Sequence, residues 1–156
     1  MDEADKKLLN ATIRYLSFRP RSEKEIRDYL KKKNANEKTI GLIVEKLKEY
    51  KFLDDAEFAR RFIEQRIKIK PKAWRIIKLE LIRKGISKEI IETIILEDQA
   101  PEINDGETAL KLAEKRIERL KNEPRQKQYE KMFRYLASKG YNYDIIKEVV
   151  DRILPR

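Results

Sequence analysis

Cysteine and histidine are both missing from this chain of 156 residues. Their absence excludes disulfide frameworks, zinc sites built on Cys or His, thiol nucleophiles, imidazole bases and Ser-His-Asp triads. Glycine and proline are scarce, at 4 and 5 residues, which argues against turn-rich β folds. No stretch approaches the roughly 18 to 20 uninterrupted apolar residues of a membrane span. The opening MDEADKKLLN has no cationic-then-apolar signal pattern. A cytoplasmic protein with no membrane partner, no cofactor and no metal is expected. What the chain has in quantity is charge, at 42% of residues against 40% apolar, a balance that suits amphipathic helices and an all-α fold. Lys and Arg number 38 against 28 Asp and Glu, a net +10 that favours nucleic acid or an acidic protein bound to it. A Lys/Glu-rich surface of the thermally adapted kind gives a similar total, so the placement of the charges matters more than their sum.

The prolines reveal a repeat. Pro20, Pro71 and Pro124 each precede a helical pattern rich in cations. After each come apolar positions at helical spacing: Ile26 and Leu30, Ile77 and Leu81, Met132 and Leu136. Each pattern then breaks, at Lys33-Asn34-Ala35-Asn36, Lys84-Gly85-Ile86-Ser87 and Lys139-Gly140-Tyr141-Asn142. Asn34, Gly85 and Gly140 suit a left-handed helix stop, and Asn36, Ser87 and Asn142 suit the N-cap of the next helix. Upstream of each proline lies a further amphipathic segment, over 8–18, 57–69 and 107–120. Each repeat is therefore three helices, assigned to 1–53, 54–100 and 101–156, the last including a linker, and 99–106 is the most linker-like stretch, joining the second repeat to the third. Helices this short are marginal alone in water and must bury their apolar stripes against neighbours. Three tandem tri-helical repeats in an elongated or curved array, as a monomer, are the expected architecture.

The run Tyr50-Lys51-Phe52-Leu53-Asp54-Asp55-Ala56-Glu57-Phe58-Ala59, reached after Arg19-Pro20-Arg21-Ser22-Glu23-Lys24-Glu25-Ile26, resembles the RecX family of recombination regulators. Lys84-Gly85-Ile86-Ser87 and the later Arg134-Tyr135-Leu136 and Lys139-Gly140-Tyr141 continue that pattern, with Asn34 standing where the sister repeats have glycine. The resemblance implies a protein that binds the RecA recombinase, or its filament on single-stranded DNA. It implies restraint of ATP hydrolysis and strand exchange by a regulator that is not an enzyme.

The motif residues themselves read as structural. Ser22 with Glu25 fits a capping box. Asp54 and Asp55 precede a helix starting near Ala56, where a cap and dipole role outweighs acid-base chemistry, and Asp55 is taken as the cap. Phe52, Leu53 and Phe58 flank that cap and are expected in the core between the first two repeats. Trp74 sits among cations, where a ring can stack on a base, but is read first as a half-buried anchor. Tyr141 and Tyr143 are read as packing the third-repeat turn.

Charge placement separates the functional readings. Residues 14–33, 60–84 and 111–139 carry local excesses of +5, +8 and +6, while 34–58 and 85–109 are net acidic. A helix-turn-helix protein reads DNA with its last helix, which here carries Glu89, Glu92, Glu97 and Asp98, and phosphate repels it. The binding surface is therefore assigned to Arg60, Arg61, Arg66, Lys68, Lys70, Lys72 and Arg75, expected to project into solvent. Reversing Arg66, Lys70 and Lys72 to Glu is expected to leave folding intact. Two readings stand: a regulator of the RecA filament, and a non-specific binder of single- or double-stranded DNA built from helix-turn-helix-like units.

Overall fold

The structure is a computed structural model that describes residues 1–97 and 100–155. Asp98 and Gln99, assigned above to an acidic helix and to the start of a linker, lie outside the described residues. Among the described residues there are nine α-helices and no strand. They are α1 (Glu3–Phe18), α2 (Glu23–Lys32), α3 (Glu37–Glu49), α4 (Asp55–Lys68), α5 (Trp74–Arg83), α6 (Lys88–Ile95), α7 (Asp105–Leu120), α8 (Arg125–Ser138) and α9 (Tyr143–Ile153). The expected stops and caps occur as read. Asn34, Gly85 and Gly140 have φ of 64°, 85° and 91°. The Asn36, Ser87 and Asn142 side chains accept hydrogen bonds from the backbone N–H three residues on. The first helix starts five residues earlier than its apolar stripe predicts, because Asp2 caps it by accepting from the Asp5 N–H.

The chain forms two compact units, Met1–Phe62 with Leu81–Ala100, and Ile63–Glu80 with Pro101–Arg156. The division falls within α4 and α5. The first unit packs Ile26, Leu30, Ile40, Ile43, Val44, Leu47 and Leu53 into one core, with Leu8, Ile13 and Leu16 of α1 against it. Here the start of α2 is fastened by groups distant in sequence. The fully buried Ser22 completes the capping box with Glu25, and its hydroxyl also donates to the Lys84 carbonyl at 2.6 Å. The Glu23 N–H donates to Asp55 Oδ1 at 2.8 Å, and Lys24 Nζ donates to the Arg83 carbonyl. Gly85 lies so close to the Lys24 stem that a Cβ there would overlap it.

The second unit packs Ala109, Ala113, Leu120, Met132, Leu136, Tyr141, Ile146, Val149 and Val150 around Ala73. The start of α5 is fastened in the same way. The Trp74 N–H donates to Asp105 Oδ1 at 2.9 Å, the Ala73 N–H to the Lys139 carbonyl at 3.0 Å, and Arg75 Nε to the Gly140 carbonyl at 2.7 Å. Gly140 is pressed against Ile76 and Ala73. Asp54 is the cap of α4, accepting from the Ala56 and Glu57 N–H groups, whereas Asp55 reaches across to α2. Adjacent acids both fit a cap pattern, and only the tertiary fold decides which one turns inward. Leu53 and Phe58 are buried as expected, but Phe52 is 49% exposed, because it follows Lys51 in a left-handed conformation (φ 61°) that swings it outward.

Candidate partner-binding surface

The seven cations assigned to binding do not fall in one unit. Arg60 and Arg61 belong to the first, and Arg66, Lys68, Lys70, Lys72 and Arg75 to the second. Both arginines of the first set sit on α4 within reach of Glu57. Arg60 makes a two-pronged pair with Glu97, just past the end of α6, at 2.9 and 2.8 Å. These hydrogen bonds hold the Glu97 carboxyl below the usual carboxylate range and raise the Arg60 guanidinium further above neutrality. Such a planar fork is engaged on both prongs before any partner arrives.

In the second unit Glu80 is a hub. Its Oε2 accepts from Arg66 at 2.9 Å and its Oε1 from Lys72 at 2.9 Å, with only 16% of the carboxylate side chain exposed. Burial pushes this carboxyl up, but the hydrogen bonds from Lys72 and Arg66 outweigh burial and leave it below the usual value. Arg75 is committed to the Gly140 carbonyl, which the left-handed stop of α8 leaves without a helical donor. Reversing Arg66 and Lys72 to Glu therefore does not spare folding. It would set three carboxylates together, at a cost on the order of 2 kcal/mol or more once solvent screening is allowed for.

Lys68 and Lys70 differ. Both are exposed and neither makes an ion pair among the described residues. They flank Ile69, itself 67% exposed where the chain leaves α4. Two free ammonium groups about an apolar tip can grip a carboxylate or a phosphate beside an apolar contact. Trp74 is half-buried, with Lys78 Nζ 5.9 Å above its ring, and Tyr141 is buried against the Thr108 hydroxyl at 2.8 Å. Burial raises the Tyr141 phenol to about 12. Tyr143 is 61% exposed and leans on Phe133. Among the described residues no group of three or more Asp or Glu is placed to hold a metal ion, and no helix is long and apolar enough to cross a membrane.

Sequence reasoning missed Glu80, Glu97 and Asp105. Their partners lie 14, 37 and 31 residues away, beyond any local helical spacing. A signal for Glu80 was present, since it is one of only two acids between Arg60 and Lys84.

Three family models match the chain in order: the first three-helix domain of RecX over residues 9–47, the second over 54–94 and the third over 104–150. The regulatory protein RecX of Clostridium botulinum (strain Eklund 17B) is 37% identical over 146 residues, covering 92% of this chain and 67% of the relative. That of Clostridium perfringens (strain 13) is 38% identical over 149 residues, covering 94% and 68%. That of Oceanobacillus iheyensis is 33% identical over 147 residues, covering 94% of this chain and 53% of the relative. The crystal structure of RecX from Lactobacillus salivarius superposes with a TM-score of 0.73 at 28% identity, over 96% of each chain. With its three matched domains in order and its helices in the arrangement of a solved RecX, this chain belongs to the RecX family.

Proposed function

We propose that this protein is a regulator that binds the RecA recombinase, or its filament on single-stranded DNA, and restrains ATP hydrolysis and strand exchange. It acts by binding, not by catalysis, as a cytoplasmic monomer. Its working parts are three tri-helical domains at 1–53, 54–100 and 101–156. The observation that carries the reading is the family membership, because the relatives are named regulatory proteins. The Lys68-Ile69-Lys70 tip supports it as a contact, since its cations are exposed and make no ion pair among the described residues.

The reading as a non-specific DNA binder draws on the net +10. It is weakened by the engagement of Arg60, Arg66, Lys72 and Arg75 within the fold, which leaves fewer cations to neutralise phosphates than the sequence total implies. The test is ATP hydrolysis by RecA on single-stranded DNA, titrated with wild type and with Lys68→Glu/Lys70→Glu. Wild type should lower the rate, and the double variant should need on the order of tenfold more protein for the same effect. A wild type that leaves hydrolysis untouched ends this reading.

A further inference from the structure

A second surface, in the first unit, has the build of a binding site. The end of α1 and the connection from Arg19 to Arg21 form one wall of a cleft of about 510 Å³, and the turn after α3 with the start of α4 forms the other. Each wall offers an exposed aromatic beside a cation: Phe18, 76% exposed, with Arg21, and Phe52, 49% exposed, with Lys51. Ile13, Leu16 and the buried Phe58 make the floor apolar.

Arg21 is already fixed in place. Its guanidinium lies 3.6 Å over the Tyr15 ring, which stacks on Tyr29 at 4.1 Å and 10°. None of its nitrogens has an acceptor among the described residues, and its Nε is buried without one. A planar fork held flat on a ring loses little freedom on meeting a carboxylate. Lys51 is held by a different device. It occupies the left-handed position after α3, where glycine is the easy residue, while the Phe52 N–H closes the turn onto the Leu47 carbonyl. A side chain kept where the backbone favours none is the kind of local strain that marks a contact site.

The chemistry of the occupant follows from the charges. Arg19 is paired with Glu25, and Arg61 with Glu57. Asp54 and Glu57 also line the cleft, so only Arg21 and Lys51 remain to be met. A nucleic-acid strand presents a regular train of phosphates and calls for a row of free cations without carboxylates among them. Two cations about an apolar floor instead match a short peptide with a carboxylate next to a bulky apolar side chain. We propose that this cleft docks an acidic, aromatic-containing peptide segment of a protein partner, with its carboxylate on Arg21 and Lys51 and its apolar side chain between Phe18 and Phe52. This site is separate from the Lys68-Ile69-Lys70 tip and does not depend on which protein supplies the segment.

The test is an NMR titration of the ¹⁵N-labelled full chain with three probes: the capped pentapeptide Asp-Phe-Glu-Leu-Asp, its counterpart with Lys for each acid, and a ten-residue oligo-dT. The acidic peptide should shift the amides of Phe18, Arg21, Lys51 and Phe52, and the basic one should not. Phe18→Ala/Phe52→Ala removes only exposed rings and should weaken that binding on the order of tenfold. Lys51→Gly should weaken it too while melting no lower than wild type, which separates binding from folding. Equal response to both peptides, no response to either, or shifts at these residues with oligo-dT alone would overturn the proposal.

Discussion

The junction at the start of α2 and the junction at the start of α5 solve one problem with different atoms. In both, a pair of adjacent polar residues divides the work: Asp54 and Asn104 cap their own helices, α4 and α7, while Asp55 and Asp105 accept from the first N–H of an earlier helix. In both, a left-handed glycine lets a turn sit close against that helix start. The carbonyl before the glycine is met by the Ser22 hydroxyl in the first junction and by the Ala73 backbone N–H in the second. At that carbonyl the first junction uses a side chain that mutation can remove, and the second uses main chain that it cannot. Ser22, Asp55 and Gly85 are thus fastenings of the fold.

Adding a methyl group at the glycines should break the junctions most. Gly140→Ala combines a left-handed backbone with collision against Ile76, and should cost about 2 to 4 kcal/mol. Gly85→Ala combines the same left-handed backbone with overlap on the Lys24 Cβ, an atom fixed to the α2 backbone, and should cost a similar amount, as read by denaturant unfolding. A harmless Gly140→Ala would show that the second junction is not close-packed. Next, Ser22→Ala should cost about 1 to 3 kcal/mol by leaving the Lys84 carbonyl and the Glu25 N–H without their partner. Third, Asp54→Ala and Asn104→Ala should each cost about 0.5 to 2 kcal/mol, as lost caps do. A marked inequality between these two would break the equivalence of the junctions.

The smallest effect is one of pH. Burial raises the Asp55 carboxyl above the usual aspartate value, and the hydrogen bond from the Glu23 N–H does not fully offset it. A raised carboxyl stabilises the fold below the ordinary aspartate pKa, and that contribution is lost as pH rises through the folded value. Asp55→Asn keeps an oxygen to accept the Glu23 N–H without the buried charge. Its stability relative to wild type should therefore improve as pH rises from about 3 to 7, the range that brackets an aspartate titration. Glu80 behaves oppositely: its lowered value means that its contribution is present at neutral pH and lost on acidification.

The parts of this arrangement that were legible in the sequence are the local ones. Helical spacing, the Ser22 capping box and the stops at Asn34, Gly85 and Gly140 act over three or four residues, so their residue types reveal them. The division of labour between Asp54 and Asp55 was not legible, because the Asp55 partner lies 32 residues upstream. Phe52 looked like core because it is apolar, but side-chain polarity cannot report the left-handed turn before it. The cations of 60–84 looked free because local charge counting cannot see Glu97 or the bend that folds Arg66 and Lys72 onto Glu80. Among the described residues, Lys68 and Lys70 alone of that set keep the exposure first assigned to it without an internal partner.

The separation of fastening residues from binding residues is tested most directly by Asp55→Ala in the RecA ATP-hydrolysis assay, run well below the variant's melting temperature. A lowered melting point with inhibition equal to wild type is expected, because the residue holds α2 rather than a partner. Wild-type stability with inhibition abolished would contradict it and place Asp55 in a binding site.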